Sequence, residues 1–147
     1  MSARPGPVAQ ECVEGYLYAT PPLELLVFRR TPARDRIWVP IQGKVEPTDA
    51  DLEAAVRREV REETGLADPR RVWSLDWQVP FEVEGRTWRL HAYAVEVDRT
   101  FEPTLNEEHE AWAWVPAEEA ERRLHFEDNR AAVARLRDRL GPVSQSL

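Results

Sequence analysis

Strand-like runs and one strong helical pattern divide the first half of the chain. The expected strands are residues 13–19, 23–30 and, more briefly, 37–40. Thr20-Pro21-Pro22 separates the first two and predicts the turn of a hairpin, because proline suits a turn but not a strand ladder. After a loop opened by Gly43, residues 51–64 carry the strongest helical periodicity, which Gly65 closes.

The second half continues with three strand-like runs and two helical ones. The expected strands are residues 72–83, 87–97 and 110–115, and the expected helices are residues 117–124 and 127–140. Glu84-Gly85 predicts a hairpin turn, Pro116 ends the last strand, and Gly141 ends the last helix. Because strands lie on both sides of the central helix, we expect an α/β fold in which helices cover a mixed sheet.

A chain of 147 residues, 42% hydrophobic and 32% charged, has enough apolar material for one compact domain. We place this domain at residues 10–142, between a loose arm at residues 1–9 and a tail at residues 143–147. The sequence has neither a signal-like start nor an apolar stretch long enough to span a membrane. We therefore expect a soluble, cytoplasmic protein.

The net charge of -7 argues against non-specific nucleic-acid binding, which normally requires a basic surface. An anionic substrate would need a cation as mediator. With one Cys and three His the chain offers few zinc ligands, so carboxylates are the expected metal donors. All basic residues but one are arginine, and the exception is Lys44.

The predicted central helix carries a face that changes from apolar to acidic. At about 100° per residue, its early turns present an apolar stripe formed by Leu52, Ala55 and Val56. The stripe has Val60 at its edge and continues as three carboxylates, Glu59, Glu62 and Glu63. Inward carboxylates are costly without a counter-charge, which a divalent cation such as Mg²⁺ supplies. The alternative is an ordinary helix whose acidic end is only solvated.

A longer motif surrounds these carboxylates. Gly43 is followed, after the loop, by Arg58-Glu59-Val60-Arg61-Glu62-Glu63-Thr64-Gly65-Leu66. This stretch resembles the signature of the Nudix hydrolases, which reads Gly, five residues, Glu, seven residues, then Arg-Glu-aliphatic-x-Glu-Glu-x-Gly-aliphatic. The second half matches at every specified position. The loop is one residue longer than the pattern, so the family's first Glu falls on Asp49 counted from Gly43 and on Ala50 counted from Arg58.

The resemblance implies the Nudix fold, an α/β/α sandwich with a mixed β-sheet flanked by helices, and metal-dependent hydrolysis of a nucleoside diphosphate linked to a further group. It implies three ligands for Mg²⁺ or Mn²⁺, namely Glu59, Glu62 and Glu63. Arg58 is implied to hold the acidic loop in place, and Asp49 is the surrogate for the family's first Glu. The helix start stays open between Asp51 as N-cap and an earlier capping box at Thr48.

Members of this family often add a carboxylate from late in the chain. Three candidates precede the last predicted strand, Glu107, Glu108 and Glu110. We choose Glu108 by its distance from the strand end near Trp114, and this stretch looks like the dihydroneopterin triphosphate and dATP pyrophosphohydrolase branch. Glu108 joins Glu62 and Arg58 as the expected catalytic set. His109 is interpreted as a surface or hydrogen-bonding residue.

Three residues near the motif are candidate substrate contacts. Arg30 and Lys44 are placed to reach phosphates, the first as a planar fork and the second as a point charge. Ion pairing with the acidic motif is the alternative for Arg30. Trp38 is a candidate to stack a flat ring. Core packing is expected for Trp73, Trp77, Trp112 and Trp114.

The resemblance leads us to expect a pyrophosphohydrolase whose partner is a small nucleoside-triphosphate-like substrate, cleaved to pyrophosphate and a monophosphate. One alternative substrate is a dinucleoside polyphosphate, for which Trp38-Val39-Pro40 has some likeness, and another is ADP-ribose, for which Pro80 is suitably placed. A second alternative is a nucleotide-sensing Nudix domain without catalysis, but such domains usually lose the carboxylates that are present here. A homodimer is common in the family.

Overall fold

The computed structural model describes residues 7–141, so the predicted tail and residues 1–6 of the predicted arm lie outside the described residues. The strands are β1 (Gln10–Ala19), β2 (Glu24–Arg30), β3 (Trp38–Val39), β4 (Ile41–Lys44), β5 (Arg71–Val83), β6 (Arg86–Glu96) and β7 (His109–Pro116). The helices are α1 (Leu52–Thr64), α2 (Ala117–Arg123) and α3 (Glu127–Leu140), and a short 3-10 helix spans Pro32–Arg34.

The strands form one mixed sheet with β1 near its centre. β1 pairs in parallel with β6, from Gln10 opposite Trp88 to Tyr18 opposite Glu96. The other pairs are antiparallel: β1 with β2 and β4, β2 with β3 and β7, and β5 with β6. The first half of β1 is thus held between β4 and β6, a position that brings the predicted motif loop onto the sheet.

Both predicted hairpins are confirmed. β1 and β2 pair antiparallel on either side of the proline turn, with Leu17 opposite Leu26. β5 and β6 meet at Glu84 and Gly85, whose φ angles of 50° and 77° lie in the left-handed region that such turns require. The loop predicted around Gly43 is instead strand β4, because this glycine pairs with Val13 of β1.

Helices cover both faces of the sheet, which confirms the predicted α/β/α sandwich. On one face, α2 and α3 pack on apolar residues of β1, β2 and β5, and Trp73 and Trp77 lie against this core. On the other face, α1 buries Ala55, Val56 and Val60 against a second core, which Trp112 and Trp114 cover. Core packing is therefore confirmed for the four tryptophans to which it was assigned. No helix within residues 7–141 is long and apolar enough to cross a membrane.

Candidate active site

The loop between β4 and α1 brings the motif together at one end of the sheet. Asp51 is the N-cap of α1, and its side chain accepts a hydrogen bond from the Ala54 N–H at 2.7 Å. This settles the helix start in favour of Asp51 over Thr48. At the other end, Gly65 caps the helix with a φ of 81°, a conformation that glycine adopts without steric cost.

Arg58 fixes this loop through hydrogen bonds from its guanidinium group. Its guanidinium donates to both carboxylate oxygens of Asp49, each at 2.9 Å, and to the Lys44 carbonyl at 2.9 Å. Asp49 also accepts from the Glu46 N–H at 2.8 Å, and the pairing with Arg58 lowers the pKa of the Asp49 carboxyl. Asp49 is therefore used in a bidentate pair that fixes the loop, and Arg58 acts as a positioning residue outside the cleft described below.

The carboxylates that follow Arg58 do not all point inward. Arg58 donates to Glu59 at 2.8 Å and to Glu62 at 3.2 Å, but the Glu62 side chain is 51% exposed. The expectation that Glu62 projects inward with its two neighbours is wrong. Val60, which we placed at the edge of the buried face, lies within it and displaces Glu62 to the solvated flank. The implied role of Glu62 as a metal ligand and catalytic residue stays a prediction.

Glu63 is the most enclosed carboxyl of the group. Its side chain is 2% exposed, and its Oε2 atom has no hydrogen-bond partner. Burial together with the facing carboxyl groups of Glu59 and Glu108 raises its pKa far above the ordinary value. Without a counter-charge this arrangement is costly, because like charges meet in a region that excludes water.

The neighbouring histidine does not supply that charge. His109 Nδ1 lies 3.7 Å from Glu63 Oε1, and this ring nitrogen also lacks a hydrogen-bond partner. Burial, with help from Arg30 and Arg34, lowers the pKa of His109 to about 4, so the ring is neutral at pH 7. His109 packs against Phe28 with ring centroids 5.4 Å apart and is buried in the cleft wall. Of the two roles that we expected, surface or hydrogen-bonding residue, burial excludes the first.

Gly43 is required at its position by a close approach to the acidic helix. A Cβ atom added there would lie 2.0 Å from Cδ of Glu59. Any larger residue would displace the Glu59 carboxylate. The glycine of the motif therefore leaves space for this carboxylate, and it lies in a strand and not in a turn. This close approach explains a motif position that the sequence pattern only marked.

A cleft of about 430 Å³ opens beside these groups. Its lining combines four carboxylates, three cations and two aromatic rings, namely Glu46, Glu59, Glu63, Glu108, Arg30, Arg34, Lys44, Phe81 and Trp88. Arg30, Lys44 and Glu108 were predicted as site residues, and the structure brings all three into this cleft. Arg30 donates to Gln42 Oε1 at 3.3 Å, and Gln42 also lines the cleft.

Trp38, the residue predicted to stack a substrate ring, does not line the cleft. Its ring packs against the core beneath α2 and α3, with the Arg29 and Arg123 guanidinium groups 5.8 and 4.8 Å from its centroid. Successive residues of a strand face opposite sides, so Val39 reaches the cleft and Trp38 points away from it. The prediction for Trp38 is therefore corrected.

Sequence reasoning missed several residues of the cleft, among them Arg34, Phe81 and Trp88. The sequence did carry a signal for the aromatic pair, since Phe81 and Trp88 flank the predicted Glu84-Gly85 turn at matching distances. For Arg34 the sequence gave no comparable signal, because its side chain is positioned by the 3-10 helix.

The carboxylates fit a divalent cation in their chemistry. Within residues 7–141, no three His, Cys, Asp or Glu side chains already form a ready-made metal-binding group. However, the buried Glu63 oxygen without a partner and the facing Glu59 and Glu108 form an all-oxygen donor set, which Mg²⁺ and Mn²⁺ prefer. Glu59 and Glu63 are the residues of this set that would hold such an ion, and Glu108 faces them.

Comparison with known protein families identifies the family of this chain. The model of the NUDIX domain matches residues 17–136, most of the chain. The chain belongs to the NUDIX domain family. As a Nudix hydrolase it is an enzyme, and the resemblance drawn from the motif is confirmed.

Two curated relatives show how the domain is used elsewhere. The chain is 34% identical over 119 residues to an octanoyltransferase of Myxococcus xanthus, covering 78% of this chain but only 32% of that protein. It is 30% identical over 99 residues to the asymmetrical bis(5'-nucleosyl)-tetraphosphatase of Mus musculus, covering 65% of this chain and 67% of that protein. The chain thus spans about a third of the length of the first relative.

Solved structures support the fold. An Ap4A hydrolase of C. elegans superposes with a TM-score of 0.75 at 18% identity, covering 90% of this chain and 98% of that one. The dihydroneopterin triphosphate pyrophosphohydrolase of E. coli superposes with a TM-score of 0.71 at 21% identity, covering 86% and 95%. Identities this low establish the shared fold and leave the substrate to be argued from the site.

Proposed function

We propose that this Nudix hydrolase cleaves a phosphoanhydride bond in a nucleoside-triphosphate-like compound. The single observation that carries the proposal is the meeting of the buried Glu63 carboxyl, whose Oε2 has no partner, with three cationic side chains in one cleft. Carboxylates suit a divalent cation, and the cations suit phosphate oxygens. In a polyphosphate bound with a metal ion, the ion pairs with the carboxylates of the cleft and the phosphate oxygens pair with its cationic side chains.

The proposed roles divide the cleft in two. Arg30, Arg34 and Lys44 bind phosphate oxygens, while Glu59 and Glu63 would hold Mg²⁺ or Mn²⁺, with Glu62 as the third ligand that the motif implies. When bound, the cation neutralises phosphate charge and lowers the pKa of water. Glu108 is exposed at the cleft mouth, and its carboxylate accepts the proton of the attacking water. The water oxygen forms the new bond to phosphorus as the anhydride P–O bond breaks, and pyrophosphate leaves.

A second candidate substrate is a dinucleoside polyphosphate. The observation that favours it is the 30% identity to the asymmetrical bis(5'-nucleosyl)-tetraphosphatase, the activity named for that relative. ADP-ribose and a role in sensing a nucleotide without cleavage are further alternatives. Sensing is the weaker of these, because Glu59, Glu62 and Glu63 are all retained.

A substrate panel tests these candidates. The protein is incubated with Mg²⁺ or Mn²⁺ and with nucleoside triphosphates, dihydroneopterin triphosphate, diadenosine tetraphosphate and ADP-ribose, and products are separated by chromatography. Pyrophosphate with a monophosphate supports the main proposal. Two nucleotides from the tetraphosphate, or AMP with ribose phosphate from ADP-ribose, support the corresponding alternative. Binding without turnover of any compound would mean a sensor.

Replacing Glu108 by glutamine should lower kcat at least about a hundredfold and change KM by less than about threefold. A general base acts mainly in the transition state, and its loss is expected at this scale. Steady-state kinetics on the best substrate of the panel measures both constants.

Two neighbours serve as matched controls for Glu108. Glu110 is engaged by Arg29 at 3.2 Å and Arg36 at 3.4 Å, and Glu107 does not line the cleft. Glu107→Gln and Glu110→Gln should therefore remain close to wild type. If one of them is the damaging change and Glu108→Gln is mild, the base has been assigned to the wrong residue.

A further inference from the structure

The aromatic residues of the chain separate into those that build the two cores and a small remainder at the cleft. Five of the six tryptophans pack against a core, and Trp88 packs against neither. Phe81 likewise belongs to neither core, and both rings line the cleft. A half-buried tryptophan that contributes to no core leaves apolar ring surface in contact with water, so its position calls for another explanation.

The two rings hold each other in a fixed orientation. Phe81 of β5 lies directly opposite Trp88 of β6 in the antiparallel register. Their centroids are 5.8 Å apart with an interplanar angle of 62°, an edge-to-face contact. Gln10 of β1 lies opposite Trp88 on the other side of β6, so the indole is carried by a strand that is paired on both sides. The pair therefore forms a preorganised apolar wall at one end of the cleft.

Lys44 links this wall to the charged end of the cleft. Its Nζ lies 4.9 Å from the Trp88 ring centroid, a cation–π distance. Lys44 lies opposite Cys12 of β1, and the other side of β1 pairs with β6, the strand that carries Trp88. Lys44 also directly follows Gly43, where an added Cβ atom would lie 2.0 Å from Glu59. The order along the cleft is thus aromatic wall, ammonium group, carboxylate cluster.

We propose that Trp88, supported by Phe81, is the platform for the planar heterocycle of the substrate, with Lys44 receiving the adjacent phosphate. The inference rests on the proposed function and assigns the residues that recognise the flat ring of its substrate. The Lys44 ammonium lies over one face of the indole, and its side chain is flexible. A heterocycle that stacks on this face displaces the ammonium, which then binds the adjacent phosphate. The site then selects ring-bearing polyphosphates over ring-free ones.

Binding without turnover tests this directly. With Mg²⁺ present, isothermal titration gives the Kd of analogues of ATP, GTP and inorganic tripolyphosphate in which methylene groups replace the anhydride oxygens, for wild type and for Trp88→Leu. We expect Trp88→Leu to weaken the tighter-bound nucleotide at least about fivefold, the lower range for losing one stacked base, and to leave tripolyphosphate unchanged. Trp88→Phe, which keeps an aromatic face, should restore most of the affinity.

Trp77→Phe is the matched control, because Trp77 lies against the core beneath α3 and its buried Nε1 has no partner to lose. Phe81→Leu provides a second test of the wall if Trp88→Leu does not fold. Equal weakening of nucleotide and tripolyphosphate, or no weakening of either, would overturn the platform. Wild-type protein that binds nucleotides no tighter than tripolyphosphate would also overturn the platform. The proposed function is tested separately, because hydrolysis in the substrate panel would support it even if the platform is wrong.

Discussion

Replacing Glu63 by glutamine is expected to lower turnover at least about a hundredfold, the scale for losing one group that stabilises transition-state charge. Glutamine is nearly isosteric with glutamate but carries no charge, so it is a much poorer ligand for a divalent cation. The Glu63 side chain is 2% exposed and lies between Glu59 and His109.

The same substitution should leave the metal-free protein at least as stable as wild type. It removes a carboxyl whose ionisation is opposed by burial and by the facing Glu59 and Glu108, and it places an amide that can donate a hydrogen bond beside those carboxylates. Millimolar Mn²⁺ should raise the melting temperature of wild type, because a ligand that binds only the native state stabilises it. The variant should lose most of that increase, and thermal melts with and without Mn²⁺ measure the difference.

Glu53→Gln is the control for this experiment. Glu53 lies on the same helix but pairs with Arg57 at 3.1 Å on the solvated side, so turnover and Mn²⁺ stabilisation should both be retained. Activity of Glu63→Gln within a few-fold of wild type would remove Glu63 from the metal site. A wild-type melting temperature that does not respond to Mn²⁺ would count against any metal site in this cleft.

Local signals in the sequence were sufficient for α1 and for the two hairpins. Apolar residues at helical spacing, an Asp before the helix and Gly65 after it specify a helix whatever it packs against, and the structure ends α1 at Thr64. The Glu84-Gly85 turn was equally local, since its positive φ angles depend on the turn residues themselves. Interactions of this kind span only a few residues.

Features set by distant parts of the chain could not be predicted in this way. The parallel pairing of β1 with β6 joins residues far apart in sequence, and β4 is a strand only because β1 provides its partner. The exposure of Glu62 depends on how α1 rotates against the sheet, where burial of Val60 outweighs burial of a carboxylate. Trp38 was chosen as the stacking residue, and Trp88 was missed, for the same reason. Proximity to the motif in sequence does not tell which face of the sheet a ring occupies.

Glu14 was invisible to the sequence reasoning, yet it is one of the few fully buried charged residues among residues 7–141. Its carboxyl accepts hydrogen bonds from Tyr16 Oη at 2.8 Å and from Asn129 Nδ2 at 3.0 Å, and the second of these joins β1 to α3. Burial raises its pKa from 4.5 to about 7, opposed by these two hydrogen bonds and by the Arg30 charge, and assisted by Asp128. The folded protein therefore binds this proton more tightly than the unfolded chain does.

Replacing Glu14 by glutamine is consequently expected to change how stability depends on pH. A carboxyl with a raised pKa contributes its full stability below pH 4.5 and loses it as the pH rises through 7. Because glutamine stays neutral, the unfolding free energy of Glu14→Gln relative to wild type should rise by roughly 2 to 3 kcal/mol between about pH 5 and pH 8. Urea denaturation in EDTA measures this difference, with the exposed Glu107→Gln as control. A difference that is constant with pH would mean that Glu14 ionises as readily in the fold as in the unfolded chain.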